Sequence, residues 1–162
     1  RGLGDVYKRQ DMGERGNQHD VTEGAVVHVC RIPVRWSDFD RFGHLTNSAY
    51  VEVAQEARLD WAHQEFVQKG MDVPSVFVRH ITADYRLPIL PTATEVQVET
   101  EVVQVKTTSF TTRQTIKNEK GEAACVVECV QIAVDLKTAS PRAIEAHEMK
   151  VLARGKSEEG QD

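Results

Sequence analysis

The densest run of chemically capable side chains in this 162-residue chain is WSDFDRFGHLTNSAY, residues 36–50. Asp38 and Asp40 stand two apart, Gly43 and His44 follow, and Thr46, Asn47 and Ser48 each suit the cap of a helix. A carboxylate beside a helix start has a definite chemical use. The first backbone N–H groups of a helix lack partners within it, and the helix dipole adds partial positive charge there. Together they can polarise a carbonyl and hold an oxyanion while the carboxylate attacks directly or activates water. A thioester suits such a site, because a thiol of pKa about 8.5 departs as thiolate with little help from a general acid. The same residues also suit a plainer role: aspartates favour turns and caps, and His44 fits a hydrogen-bonded structural position. Residue types alone leave both readings open.

Other familiar constellations are missing from the sequence. There is no Gly-x-Ser-x-Gly elbow, phosphate loop, dinucleotide fingerprint or His-Glu-x-x-His, so serine hydrolase, nucleotidase, dehydrogenase and zincin readings lack support. The six histidines read as scattered, none at ligand spacing with a cysteine or another histidine, and no metal or other cofactor is expected. Cys30, Cys125 and Cys129 form an odd set without a Cys-x-x-Cys pair, which points to reduced core thiols in a reducing compartment. Cys125 and Cys129 share one face of a strand-like run about 13 Å apart, too far to bridge. A net charge of -5 argues against a nucleic-acid partner. No run approaches the roughly 18 apolar residues of a membrane span, and the amino-terminal region lacks the apolar core of a secretory signal. A cytoplasmic protein with small molecules or proteins as partners is expected.

The elements that must hold the 36–50 loop are legible around it. The β-rich run Val26 to Trp36 reads as a strand ending at the loop. From Ser48 to Lys69, Tyr50, Val53, Ala54, Ala57 and Trp61 recur at spacings of three and four, one face of a helix stopped by Gly70. That face reads as core. Four β-type runs follow, Val76 to Leu87, Thr94 to Val105, Ser109 to Asn118 and Glu122 to Leu136, with NEKGE at 118–122 as a hairpin turn. Strict alternation in Glu95, Val96, Gln97, Val98, Glu99 leaves one sheet face wet and the other apolar. A short helix is expected over Glu145 to Arg154. The plan is α+β: one long helix wrapped by a curved antiparallel sheet of about five strands.

A chain of this length suits a single domain, placed at 24–155. Residues 1–23 and 156–162 read as disordered tails. Within the first tail, DVYKRQ at 5–10 resembles one reading frame of a common sequencing-adapter end, which suggests that residues 1–10 are adapter-derived and that the natural chain starts near Met12.

The segment VRWSDFDRFGHLTNSAYVEVAQEAR, 34–58, resembles the signature of the 4-hydroxybenzoyl-CoA thioesterase-like hotdog family. In that signature Asp-x-Asp-x-x-Gly-His-hydrophobe-Asn-Asn is followed by Tyr and by Glu-x-Ala-Arg. ADYRLPI at 83–89 and VDLKTASPRAI at 134–144 are similar to later pieces of the family, and the resemblance covers roughly residues 26–152. It implies a single hotdog domain, dimerisation that joins two sheets edge to edge, and active sites at the dimer interface. Asp40 matches the family's nucleophile or general base, Gly43 its tight turn, and the backbone N–H of Asn47 the group that polarises the thioester carbonyl. Asp38, His44 and Tyr50 match supporting positions. Glu56 and Arg58 match the end of the signature, implying an ion pair on the helix, with Glu56 a catalytic alternative because related enzymes place their carboxylate there. Thr46 departs from the family's first asparagine, keeping a capping oxygen but losing the amide, and Ala93-Thr94 replaces a common Gly-Asp.

The resemblance implies an acyl-CoA thioesterase without metal or redox cofactor, acting as a homodimer or homotetramer. Two alternatives stand beside it: a thioesterase for acyl chains on a carrier protein, and a hotdog protein that binds acyl thioesters without hydrolysing them. A hydratase using Asp40 and His44 fits the loop poorly. Arg41, Arg79, Arg86 and Arg113 are available for coenzyme phosphates, with none assigned.

Overall fold

The computed structural model describes residues 27–154; the expected tails and the adapter-like run lie outside the described residues. The chain runs from β1 (His28–Pro33) through the loop to α1 (Asn47–Glu65), then β2 (Val76–Tyr85), β3 (Glu95–Val105), β4 (Ser109–Lys117) and β5 (Ala123–Asp135). A two-residue strand β6 (Ser140–Pro141) and α2 (Ala146–Arg154) close it. The strands pair antiparallel in the order β1-β3-β4-β5-β2, with β6 added to β5. One long helix against a curled five-stranded sheet is the expected hotdog arrangement.

Alternation explains the sheet's two faces. On β3, Val96, Val98, Thr100 and Val102 point to the helix and are buried, while Gln97, Glu99 and Glu101 face outward. On β5 the inward set includes Ala123, Cys125, Val127, Cys129, Gln131 and Ala133, so Cys125 and Cys129 are core thiols as expected. Burial raises both, Cys125 to about 12. The outer face carries matched charges in register: Arg113 lies opposite both Glu101 and Glu128 and bonds each, at 3.3 and 3.0 Å. Lys117 reaches Glu99 at 2.6 Å.

α1 forms because its buried residues, Ala49, Tyr50, Val53, Ala54, Ala57, Arg58 and Trp61, make one stripe at helical spacing. Ala54 and Ala57 are wholly buried, which lets the helix lie close on the sheet. Thr46 starts it, its Oγ1 accepting the Ala49 N–H at 3.3 Å. The helix ends earlier than the expected Lys69. A 3-10 turn at Val67–Lys69 tightens the chain, and Gly70 leaves it in the left-handed region at φ 79°.

The core divides along the helix. Its first half packs with Ile32, Val34, Leu45, Ile89, Val96 and Ile116 around Tyr50 and Val53. Its second half joins Trp61 and Phe66 to Val102, Phe110, Val151 and Leu152, so the carboxy-terminal helix α2 caps that end.

Candidate active site

The loop between β1 and α1 is built by its own hydrogen bonds. Trp36–Asp38 forms a 3-10 turn in which the Asp38 carboxylate accepts the Arg35 backbone N–H at 2.7 Å and the Arg35 guanidinium at 3.1 Å. The backbone bond foremost, with the guanidinium adding, holds the Asp38 carboxyl below the usual aspartate value. Asp38 also receives the Thr46 N–H on its carbonyl at 2.9 Å, which ties the loop's start to the helix cap.

Asp40 organises the tip. Its Oδ1 accepts two backbone N–H groups, Phe42 at 2.9 Å and His44 at 3.1 Å. Its own N–H donates to the His44 carbonyl at 2.8 Å, and its carbonyl accepts Gly43 at 3.0 Å. Gly43 sits at φ 73°, where side chains are strained, and a Cβ there would meet Pro91 at 3.7 Å. The result is a half-buried carboxylate held in one orientation by a closed turn. His44 contributes backbone to that turn, with its ring half-buried.

From Asp40 the chain needs only Leu45 and Thr46 after the turn to reach Asn47, the first residue of α1. Leu45, buried beneath the loop, donates its N–H to the Ile89 carbonyl at 3.1 Å. Two tyrosines brace the helix start: Tyr85 donates its hydroxyl to the Asn47 carbonyl at 3.2 Å, and Tyr50 donates to the Leu87 carbonyl at 3.4 Å. Their rings meet edge to face at 5.4 Å. The structure therefore brings Asp40, Gly43, His44, Thr46, Asn47 and Tyr50 into one loop-and-cap unit.

Asp38 and Glu56 face elsewhere. With Pro33, Arg35, Ala49, Glu52 and Val53 they line a cleft of about 450 Å³ on the flank of the helix. Glu56 is exposed there.

Residues 34–153 match the thioesterase-like superfamily. The chain belongs to that superfamily. Comparison with curated proteins gives no match. Solved structures repeat the fold. A probable thioesterase, YbaW, from Escherichia coli superposes with TM-score 0.67 at 24% identity, covering 78% of this chain and 96% of that one. A Thermus thermophilus thioesterase complexed with coenzyme A and Zn gives 0.67 at 23% identity, covering 82% and 95%. A 1,4-dihydroxy-2-naphthoyl-CoA thioesterase from Synechocystis gives 0.66 at 14% identity, covering 79% and 96%. Family membership supports thioester hydrolysis in general terms.

In this thioesterase-like chain several expectations need correction. Glu56 and Arg58 do not pair. Two positions apart on a helix they point to different faces, so Glu56 stands in the outer cleft while Arg58 turns inward, 7% exposed, and donates to Gln114 at 3.2 Å. Burial lowers the Arg58 pKa, and no carboxylate among the described residues pairs with it. Arg58 and Gln131 instead line an apolar groove of about 290 Å³ with Trp61, Phe66, Val76, Val78 and Phe110. Of the arginines considered for coenzyme phosphates, Arg113 is engaged by Glu101 and Glu128 and Arg86 is buried against Asp84 at 3.1 Å. Arg41 and Arg79 remain exposed.

The histidines are not all scattered. His28 and Cys30 alternate on β1 and meet Asp60 of α1, all three ligand atoms lying within 4.8 Å of one another. His-x-Cys on a strand was the available signal, since residues two apart share a face. Tyr85 lies within ADYRLPI, and its contact with Asn47 crosses 38 residues and leaves no local trace in the sequence.

Proposed function

We propose that this protein hydrolyses acyl-CoA thioesters to the free acid and coenzyme A, with Asp40 as the carboxylate that drives the reaction. The observation that carries the reading is the anchoring of Asp40 through Oδ1 by the Phe42 and His44 N–H groups, in a turn that leads directly into α1. Acting as base, Asp40 takes a proton from water as the water oxygen attacks the thioester carbonyl. The developing oxyanion is held by the helix start, where the Asn47 backbone N–H and the dipole lie. The C–S bond then breaks, coenzyme A leaves as thiolate and is protonated by solvent. Acting as nucleophile, Asp40 forms an acyl anhydride that water cleaves; both routes use the same placement. Gly43 permits the turn, Asp38 and His44 brace it, Thr46 caps the helix and Tyr50 steadies its first turn.

Coenzyme A is favoured as the carrier because a Thermus thermophilus neighbour in the same fold is complexed with it. The cytoplasm, where acyl-CoAs and free thiols coexist, is the matching compartment. β2 ends the sheet, and within the described residues its outer edge has no strand beside it. It is ten residues long and exposes Phe77 and Val78. Such an edge invites pairing with a second copy, and we assign the dimer interface to it, with the active sites nearby.

The test is thiol release from short, medium, long and aromatic acyl-CoAs by the purified protein, run beside acyl chains on a carrier protein. Hydrolysis of one acyl-CoA class supports the reading and names the class. Release only from the carrier protein moves the substrate, and no release from any substrate leaves an acyl-thioester-binding protein. Light scattering tests the assembly: a monomer at micromolar concentration would remove the β2 interface.

A further inference from the structure

The face of β1 that packs on α1 carries a cluster of side chains that takes no part in the chemistry proposed for the Asp40 loop. His28 is 7% exposed, and its Nε2 lies 2.8 Å from Asp60 Oδ2. Cys30, the next residue on that face, brings its sulfur into the same group. Four ligands around a tetrahedral zinc ion, with bonds of about 2.0–2.3 Å, stand about 3.3–3.8 Å from one another. A trio already within 4.8 Å therefore reaches coordination distance by side-chain rotation of about an ångström. Imidazole, thiolate and carboxylate are together a donor set for a borderline divalent ion, with the sulfur and nitrogen selecting against magnesium and calcium.

A second observation points the same way. Thr100 is wholly buried and its hydroxyl has no hydrogen-bond partner. It is the cross-strand partner of His28 on β3, so the two side chains share the face that looks at α1. A His–Asp pair alone leaves that hydroxyl unexplained, whereas a metal-bound water beside His28 would hydrogen-bond to it.

We propose that His28, Cys30 and Asp60 bind one Zn²⁺ ion, with water in the fourth position and Thr100 as that water's hydrogen-bond partner. Binding replaces the His28–Asp60 hydrogen bond by two metal bonds, and the Cys30 thiol gives up its proton to solvent as the Zn–S bond forms. In the metal-free protein that thiol is strongly disfavoured as thiolate, pushed up to about 11 by burial and by the neighbouring Asp60 charge. A dication bound directly to the sulfur outweighs both effects. Asp60 and Cys30 are half-buried, which leaves an entry path. Asp60 lies 13 residues beyond Asn47, about 20 Å along the helix from its start at 1.5 Å per residue. The ion is therefore a clip between the edge strand β1 and α1, separate from the Asp40 loop.

Cobalt supplies the readout. The full-length protein, stripped with a chelator, is titrated with Co²⁺ and followed by absorbance. One equivalent per chain should bring in a thiolate-to-cobalt charge-transfer band together with the strong visible bands of a four-coordinate site, and Zn²⁺ should displace them and raise Tm. Cys30→Ala should abolish the charge-transfer band, and Asp60→Asn should weaken binding tenfold or more. Both sites are half-buried, so these variants remain informative where a His28 substitution disturbs folding. Absence of the band in the parent, or cobalt binding of equal affinity in Cys30→Ala and Asp60→Asn, would overturn the proposal. Neither readout depends on thioester hydrolysis, so failure here and failure of the hydrolase reading are told apart.

Discussion

The catalytic role proposed for Asp40 and its part in the turn can be separated by substitution, because only the first needs a negative charge. Asparagine keeps an oxygen at the Oδ1 position and can still accept from the Phe42 and His44 N–H groups; alanine accepts from neither. Asp40→Asn should thus leave the turn in place and remove the base or nucleophile. Loss of a positioned general base costs about 10²–10⁴-fold in rate, or about 2.7–5.5 kcal/mol of barrier. Asp40→Ala loses the same chemistry together with two hydrogen bonds to a charged acceptor. Such bonds contribute about 1.5–3 kcal/mol each when buried. In a half-buried loop water replaces part of that, so a total of about 1–3 kcal/mol is expected. For a domain of this size that is a Tm fall of roughly 3–9 °C.

The assay is kcat for thiol release on the best acyl-CoA, with Tm by circular dichroism, on the parent and both variants. The expected pattern is two variants nearly equal in lost activity but unequal in stability, with the asparagine variant melting like the parent. If Asp40→Asn keeps kcat within a few-fold at unchanged Tm, the carboxylate is a turn residue only. Glu56→Gln run alongside then decides whether the carboxylate of the outer cleft does the work instead.

Two further outcomes follow from buried polar groups. Arg58→Met should destabilise the protein by about 1–3 kcal/mol in urea unfolding, because it strips the Gln114 oxygen of its donor in a fully buried place. Arg58→Met with Gln114→Leu should recover most of that loss, and a double variant as unstable as the sum of the singles would refute the coupling. Glu148 is gripped by Arg142 at 2.7 and 2.9 Å and by the Glu145 N–H at 2.9 Å, the Arg142 bonds chiefly holding its carboxyl below the ordinary 4.5. A carboxyl lowered by folding adds stability above its unfolded pKa and loses it as pH falls through the folded value. Glu148→Gln should accordingly melt below the parent at pH 7 and match it in strong acid; a gap independent of pH would show the ion pair to be irrelevant.

Local chemistry was the legible part of this fold. The expected runs over 76–87, 94–105, 109–118 and 122–136 coincide with β2 to β5 within two residues at each end, since alternation and turn residues act over neighbours in sequence. The NEKGE hairpin behaves as read, with Asn118 Oδ1 accepting from Lys120 and Glu122 and Gly121 at φ 77°. The first strand shows where locality fails. Val34, Arg35 and Trp36 are strand-like types, yet β1 ends at Pro33, because the Asp38 carboxylate captures the Arg35 N–H and starts a 3-10 turn that leaves Trp36 91% exposed. β6 and the left-handed Ala139 at φ 56° sit at the closing turn, where Asp135 accepts the Lys137 N–H at 2.8 Å on its carboxylate and the Ala139 N–H at 2.7 Å on its carbonyl.

What stayed hidden was the polar content of the helix–sheet interface, and it bears on how the site is held. The buried stripe of α1 is rich in alanine, a smooth surface that favours closeness to the sheet without fixing where along it the helix rests. Directional bonds supply that position: Arg58 to Gln114 on β4, and Asp60 to His28 on β1, each joining residues too far apart in sequence to be paired by eye. A helix displaced by one residue moves 1.5 Å, and an error of about 1 Å in a reacting geometry costs on the order of 10²-fold in rate. The polar pairs in the second half of α1 thus set where its first residue, Asn47, stands at the end of the Asp40 loop. Loss of either pair should lower kcat before it unfolds the protein.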